Sequence, residues 1–346
     1  MKILHLWWHL QNGGISNMLT DIVNEQSKTQ DVSVCFLNYD IDKQLLNRIK
    51  NNVQVIILKR RPRSINPIPI IKLNWLIWKN RYDIIHYHGN LNKYVIIKNC
   101  PWYFTAHNQL WGNKDLHMFN EIGAISKSVY DSLINGGKKN VVLINNGINT
   151  TQIKQKQKWF KNMSVFRIVQ VSRLTVWFKG QDLLIKAAAQ LVRENIKDFH
   201  IDLIGEGEDY QLLNNMISEM KMEQYVTLLG NQTREYIYNQ LANYDLYIQA
   251  SRNDGFALSV AEAMVAKVPV LVSNIYGPKI LVEDGKYGTM FKSEDVNDLV
   301  KKIKYLKNNY PTKDIIEQAC NHITENYTIA ATAKKYINRY KMLIFE

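Results

Sequence analysis

Three cysteines in 346 residues are too few and too scattered for a disulfide framework. Cys35, Cys100 and Cys320 form no CxxC pair, which argues against a zinc site and suits a reducing cytosol. No apolar run reaches the roughly 20 residues of a transmembrane helix. The nearest stretch, 64–78, is broken by Pro67, Pro69, Lys72 and Asn74. The opening MKILHLWWHL carries two histidines and no small-residue cleavage site, so it reads as a buried first strand and not as a signal peptide. Acidic residues are scarce in one half only. Residues 1–160 hold 21 Lys and Arg against 9 Asp and Glu, whereas 161–346 hold 23 against 22. The net charge of +13 therefore belongs almost wholly to the first half. Such a surplus implies an anionic partner: nucleic acid, a membrane surface or a phosphate-bearing substrate.

What is present is an α/β alternation. Continuous apolar runs rich in β-branched residues at 3–8, 32–37, 53–58, 83–88, 102–106 and 141–145 predict buried parallel strands with helices between them. The polar, basic stretch 150–162 predicts a linker or surface excursion. A second strand series follows at 165–171, 200–204, 225–229, 245–249 and 268–272. Leu183, Leu184, Ala187, Ala188, Leu191 and Val192 share one face of a helix over 182–193. Another helix is predicted at 329–344. Two βα series of similar size predict two doubly wound domains, 1–158 and 159–328, with the final helix, about 329–346, packed back on the first.

Four segments carry chemistry. Gly13-Gly14 follows the first strand, where Ser16 or Asn17 could cap a helix; Gly14 would let the backbone approach a phosphate, or the pair is a plain tight turn. In VSRLTVWFKGQDLL, Arg173 and Lys179 place a planar fork and a point charge beside a strand end, a pairing suited to a diphosphate. Gly205-Glu206-Gly207 ends a strand and permits a turn close to a ligand, or is only a strand-end turn. The most specific segment is SRNDGFALSVAEAMVAKVPVLVS, residues 251–273. A helix from about Leu258 would direct the N–H groups of Phe256, Ala257 and Leu258, beyond Gly255, at a phosphate. Glu262 lies one turn along the same face, where a carboxylate can take both ribose hydroxyls. Asp254 lies eight residues earlier, in reach of sugar hydroxyls or as a simple cap. An acid inside so apolar a helix requires a partner or a function.

These segments, with EDGKYG at 283–288, resemble the family-4 retaining glycosyltransferases of the GT-B fold along nearly the whole chain. The resemblance implies two Rossmann-like domains facing a central cleft, the first handling the acceptor and the second the nucleotide-sugar donor. It implies that Arg173 and Lys179 bind the donor diphosphate, that Glu262 binds the ribose, and that Gly14 approaches the phosphates. His107, in TAHNQLW, matches the family's histidine near the reacting sugar, and Asn145-Asn146-Gly147-Ile148 its strand-end Asn-Gly turn. The chain departs from the pattern in four places. Asp254 replaces the first glutamate of Glu-x7-Glu, Ala257 replaces a common glycine, Val268 follows Lys267 where Gly-x-Pro is usual, and Ile280 stands where glutamate is frequent.

The resemblance implies hexosyl transfer with retention, from a nucleotide diphosphate sugar to a glycan or lipid-linked acceptor of cell-surface glycan biosynthesis. Negative charge growing on the leaving diphosphate would be met by Arg173, Lys179 and a helix N-terminus. No cofactor is expected, and no DxD or histidine-cluster metal site stands out. His107 and Asp254 are the candidate catalytic residues, His107 competing with a plain core histidine; His86 and His88 read as structural or as acceptor-cleft residues. Residues 59–98 carry nine Lys and Arg against one Asp, interleaved with Trp75 and Trp78. That pattern suits an anionic membrane surface, hence peripheral association on the cytoplasmic face, or a solvated basic face over buried tryptophans. Three other classes compete. Nucleic-acid binding lacks any recognised motif. A catalytically degenerate partner protein would survive loss of Arg173 and Lys179. Sugar-nucleotide epimerisation would need no acceptor.

Overall fold

The computed structural model describes residues 1–11, 13–108, 114–157 and 165–345. It divides into two compact units, Met1–Ile148 with Thr328–Glu346, and Asn149–Tyr327. The domain border expected between 158 and 159 lies outside the described residues.

The first unit is built on a seven-stranded sheet, ordered β3-β2-β1-β4-β5-β6-β7 with every neighbour parallel. The strands are β1 (Lys2–Trp7), β2 (Asp31–Asn38), β3 (Gln54–Arg60), β4 (Ile84–Tyr87), β5 (Trp102–Ala106), β6 (Glu121–Ala124) and β7 (Val141–Leu143). Their unbroken apolar runs follow from burial on both faces. On one face Ile3, Val34 and Phe36 pack with Met18, Leu19 and Ile22 of helix Gly14–Gln26 and with the C-terminal helix Ile329–Phe345. That last helix buries Ile329, Ala333, Tyr336 and Tyr340, spaced as one helical stripe. On the other face Leu4, Leu6, Ile85 and Tyr87 meet Leu73 and Ile77 of helix Ile68–Asn80.

The second unit carries six parallel strands ordered β10-β9-β8-β11-β12-β13. They are β8 (Phe166–Val171), β9 (Phe199–Ile204), β10 (Val226–Gly230), β11 (Leu246–Gln249), β12 (Val270–Ser273) and β13 (Thr289–Phe291). Helix Gln181–Arg193 lays its apolar face on this sheet.

Three local expectations change. Strands β6 and β13 were not anticipated. One begins on a glutamate and contains a glycine, the other is three residues long, and neither makes an apolar run. The basic stretch after residue 150 is pinned to the second unit where it is described. Lys154 N–H donates to Tyr238 O, Lys156 N–H to Ala266 O, and the buried Lys156 Nζ lies 3.0 Å from Asp245. Neither Ser16 nor Asn17 caps the first helix. Gly13 holds the cap position in an extended conformation, and Asn17 Nδ2 donates back to its carbonyl.

Candidate active site

In each sheet the strand order reverses once, at β1/β4 and at β8/β11. There, adjacent loops leave the carboxyl ends toward opposite faces and open a crevice. The expected site residues gather at these two places, Gly14 and His107 in the first unit and the others in the second.

In the second unit, β8 ends in a loop that carries Arg173 and then forms a short helical turn, Val176–Lys179. The loop after β9 lies directly on it. Leu174 N–H donates to Glu206 O, and Val176 N–H donates to Asp209 Oδ2 at 2.7 Å. A Cβ on Gly205 would overlap the Ser172 carbonyl, and one on Gly207 the Leu174 carbonyl. These glycines are needed for backbone-to-backbone packing within the chain, as the strand-end turn requires. Arg173 itself is exposed and pairs with exposed Glu208 at 2.9 Å. Such a pair is worth little in water and yields readily to a better anion.

Beyond β11 the chain turns through Asp254, Gly255, Phe256 and Ala257 into helix Leu258–Val265. Asp254 organises this turn. Its Oδ1 accepts the Ala257 N–H at 3.0 Å, and its Oδ2 accepts Lys179 Nζ at 2.6 Å and Ser251 Oγ at 3.3 Å. Asp254 therefore closes the turn onto Ala257, the N-cap residue, and is an ion-pair partner that brings Lys179 to the helix N-terminus. Ala257 adopts left-handed φ of 58°, the conformation that favours glycine. Its N–H is held by Asp254 and is not free for a phosphate, a correction to its expected role. Phe256 is buried against Tyr327, with ring centroids 5.5 Å apart. Gly277 backs the turn so closely that a Cβ would strike the Asp254 carbonyl.

Glu262 stands one turn along this helix. Its Oε1 accepts the Tyr238 hydroxyl at 2.9 Å, with Arg234 at 3.8 Å. The acid in an apolar helix thus has its partner. Sequence reasoning missed Tyr238, Arg234 and, above all, Arg252. The Arg252 fork reaches both Asp182 oxygens at 2.7 and 3.0 Å, Glu294 at 2.9 Å and the Val176 carbonyl at 2.7 Å. Its own N–H donates to Phe178 O. Arg252 thereby ties the Asp254 turn to the Lys179 turn. Burial alone would raise the Asp182 carboxyl, but hydrogen bonds from Arg252 and Lys186 hold it below the ordinary range. No spacing rule links Arg252 to partners 70 and 42 residues away.

In the first unit, Gly14 opens helix Gly14–Gln26, whose first turn holds no acidic residue. A Cβ on Gly13 or Gly14 would meet only open space. His107 follows β5, and its Nε2 lies 3.2 Å from His88 Nδ1. His88 Nε2 lies 3.0 Å from His5 Nδ1, and His5 Nε2 lies 2.8 Å from Gln26 Oε1. Beside this chain His86 joins the Tyr340 hydroxyl at 2.5 Å and Thr105 at 2.6 Å. Burial depresses all four rings, His5 to about 4 and His107 to about 3, so they are neutral at neutral pH. His5, His86 and His88 converge closely enough to suggest a metal cage. All six of their ring nitrogens are already hydrogen-bonded, which makes the cluster a polar lattice. The Asn145–Ile148 turn anchors the last helix: Ile329 N–H donates to Ile148 O, and Thr332 Oγ1 donates to Asn145 O.

Residues 12–152 match the family described as Glycosyltransferase Family 4, and residues 151–322 match Glycosyl transferases group 1. The Staphylococcus aureus (strain COL) poly(ribitol-phosphate) alpha-N-acetylglucosaminyltransferase is 31% identical over 195 residues, covering 56% of this chain and 38% of that protein. An uncharacterized glycosyltransferase of Methanocaldococcus jannaschii is 26% identical over 190 residues, 55% of this chain and 50% of that one. The chain thus spans half or less of the length of these curated relatives. The structure of Anabaena HepE in complex with UDP and glucose superposes with a TM-score of 0.82 at 21% identity, covering 99% of this chain and all of that one. TarM superposes equally well, with a TM-score of 0.82 at 16% identity and 98% coverage of each chain. At such identities the likeness establishes the fold. The two family matches together run from residue 12 to residue 322, and the chain belongs to the family-4 glycosyltransferases of the GT-B fold.

Proposed function

We propose that this chain moves a sugar from a nucleotide diphosphate sugar to an acceptor hydroxyl, with retention of configuration, in cell-surface glycan biosynthesis. The observation that carries the reading is the grouping at the β8/β11 crevice. Lys179 is held against the N-terminal turn of helix Leu258–Val265, and Glu262 stands one turn further along it. In this reading Lys179 and Arg173 take the diphosphate and Glu262 takes the ribose. The Phe256 and Leu258 N–H groups and Gly255 complete the phosphate turn. His107 faces a sugar hydroxyl, and Asp254 acts by holding Lys179 and the Ala257 turn in place. Charge that grows on the leaving diphosphate is met by fixed cations and by helix dipoles, without a metal ion. Solved relatives described as bound to UDP or UDP-glucose make uridine donors the first to try. Thermal denaturation with UDP, GDP, ADP and dTDP at millimolar concentration tests the donor site. At least one is expected to raise the melting temperature by several degrees. If none does, the reading fails.

We further propose a lipid-linked or polysaccharide acceptor reached from an anionic membrane face. The support is the surface of helix Ile68–Asn80. Leu73 and Ile77 point into the core, yet Ile71 (63% exposed), Trp75 (54%) and Trp78 (63%) point outward beside Lys72 and Lys79. Ile65 is fully exposed just before it. The tryptophans are therefore not the buried ones of a plain basic face. No helix among the described residues is long and apolar enough to cross a membrane, so the contact proposed is peripheral. Sedimentation with phosphatidylglycerol vesicles is expected to carry the protein down at low salt and release it at high salt. Replacing both tryptophans by alanine should cut the bound fraction severalfold. Equal binding to neutral phosphatidylcholine vesicles would remove the proposal.

A further inference from the structure

We infer that Gln26, two rings removed from His107, sets which nitrogen of His107 carries its proton, so that His107 meets its ligand as a hydrogen-bond acceptor through Nδ1. The inference follows from counting protons along one chain of contacts. Gln26 Oε1 only accepts, and it faces His5 Nε2 at 2.8 Å, so His5 Nε2 carries the proton of that bond. A neutral imidazole has one N–H, so His5 Nδ1 is bare and must accept. The proton between His5 and His88, 3.0 Å apart, therefore belongs to His88 Nε2. His88 Nδ1 is then bare, and the bond to His107 must be donated by His107 Nε2. His107 Nδ1 is left without a proton. The count holds because burial keeps every ring in the chain neutral. A single charged ring would let one contact reverse independently of the others.

The fold makes this chain possible. His5 lies in β1 and His88 just beyond β4, neighbours across the point where the strand order reverses. His107 lies just beyond β5, the next strand. Gln26 is the last residue of helix Gly14–Gln26, fully buried over β1. Turning the amide of Gln26 over would reverse all three bonds and would leave His107 with a proton on Nδ1. Gln26 and His88 are thus positioning residues, and only His107 is placed to touch a ligand. Among the described residues nothing else bonds His107 Nδ1. A sugar hydroxyl has a proton to give it, which is the consequence for catalysis; that part rests on the glycosyl-transfer reading above, whereas the proton arrangement does not.

Nitrogen-15 histidine spectra of the full chain test it directly, because protonated and bare ring nitrogens resonate far apart. In the unmodified protein His107 is expected to show a protonated Nε2 and a bare Nδ1. Gln26→Met keeps the length of the side chain but removes the acceptor. It is expected to give His107 as a mixture of both tautomers, while His200 and His322 in the other unit do not change. In the same variant kcat for nucleotide release from the donor identified above falls at least about tenfold, the cost of a wrong tautomer, with KM within about twofold. A protonated Nδ1 on His107 in the unmodified protein overturns the inference, as does an unchanged tautomer in Gln26→Met. The unmodified spectrum suffices for the first outcome, and Gln26→Leu replaces the variant if Gln26→Met does not fold. If no donor is turned over at all, the transfer reading fails while the tautomer result stands on its own.

Discussion

Replacing Lys179 by alanine is expected to lower turnover by roughly two to three orders of magnitude while leaving the protein folded. The ammonium lies 2.6 Å from Asp254 in a turn that is itself fixed by Arg252 and by Gly180, whose left-handed φ of 65° and contact with the Ala250 carbonyl admit no side chain. A cation held this rigidly needs little reorganisation when charge moves onto a leaving diphosphate, and that is where electrostatic stabilisation is most effective. The loss should appear in kcat more than in KM. Lys179→Arg should restore only part of it, since a planar fork cannot occupy the place of a compact point charge. The Asp254 pair adds a second readout. Phosphate oxygens have to compete with Asp254 for Lys179, so Asp254→Asn should bind free nucleotide diphosphate more tightly and yet transfer sugar more slowly. Wild-type turnover in Lys179→Ala would show that the diphosphate does not use this cation.

The second large effect is on binding. Glu262→Ala is expected to weaken nucleotide diphosphate binding by about 10- to 100-fold, the range of one or two hydrogen bonds to a charged group. The comparison that gives this number meaning is inorganic diphosphate, which has no ribose. Titration calorimetry with both ligands should show the nucleotide losing affinity and the diphosphate keeping it. Glu262→Gln preserves an oxygen for the Tyr238 hydroxyl and so separates loss of ribose contact from collapse of the Tyr238–Arg234 support. Equal losses for the two ligands would mean that Glu262 only shapes the helix, and the ribose assignment would be withdrawn.

The two sheets were readable because parallel strands covered on both faces are nearly continuous apolar runs, and such runs stand out from an amphipathic helix. The same rule hides β6. Glu121 opens that strand because Arg339, 218 residues later, neutralises it, and nothing local announces the partner. The motif at 251–273 was readable for a different reason. Helix start, acid and glycine lie within one short segment, so sequence spacing stands in for spatial spacing. Where the site is assembled from distant loops, spacing fails. Asp254 reads as reaching for a sugar or as a cap, and its actual partners, Ala257 and Lys179, could not be chosen from spacing. Gly205 and Gly207 read as a strand-end turn, but nothing local shows that the carbonyls of Ser172 and Leu174 leave no space for a side chain at either. Four histidines scattered over the first 107 residues gave no sign of forming one buried lattice. Burial and strand register decide that, and neither is a property of a single residue.

The C-terminal helix has a consequence for how the chain is made. The second unit is contiguous, Asn149–Tyr327, and its core is complete once those residues have left the ribosome. The first unit is begun first and finished last. Tyr336 and Tyr340 fill its core, and Tyr340 closes on His86 only after 254 further residues have been added. Until then the side of helix Gly14–Gln26 that meets the last helix stands open, although its other side already packs on the sheet. Co-translational folding should therefore run in reverse of synthesis, with the later unit settling first and the earlier one waiting for helix Ile329–Phe345.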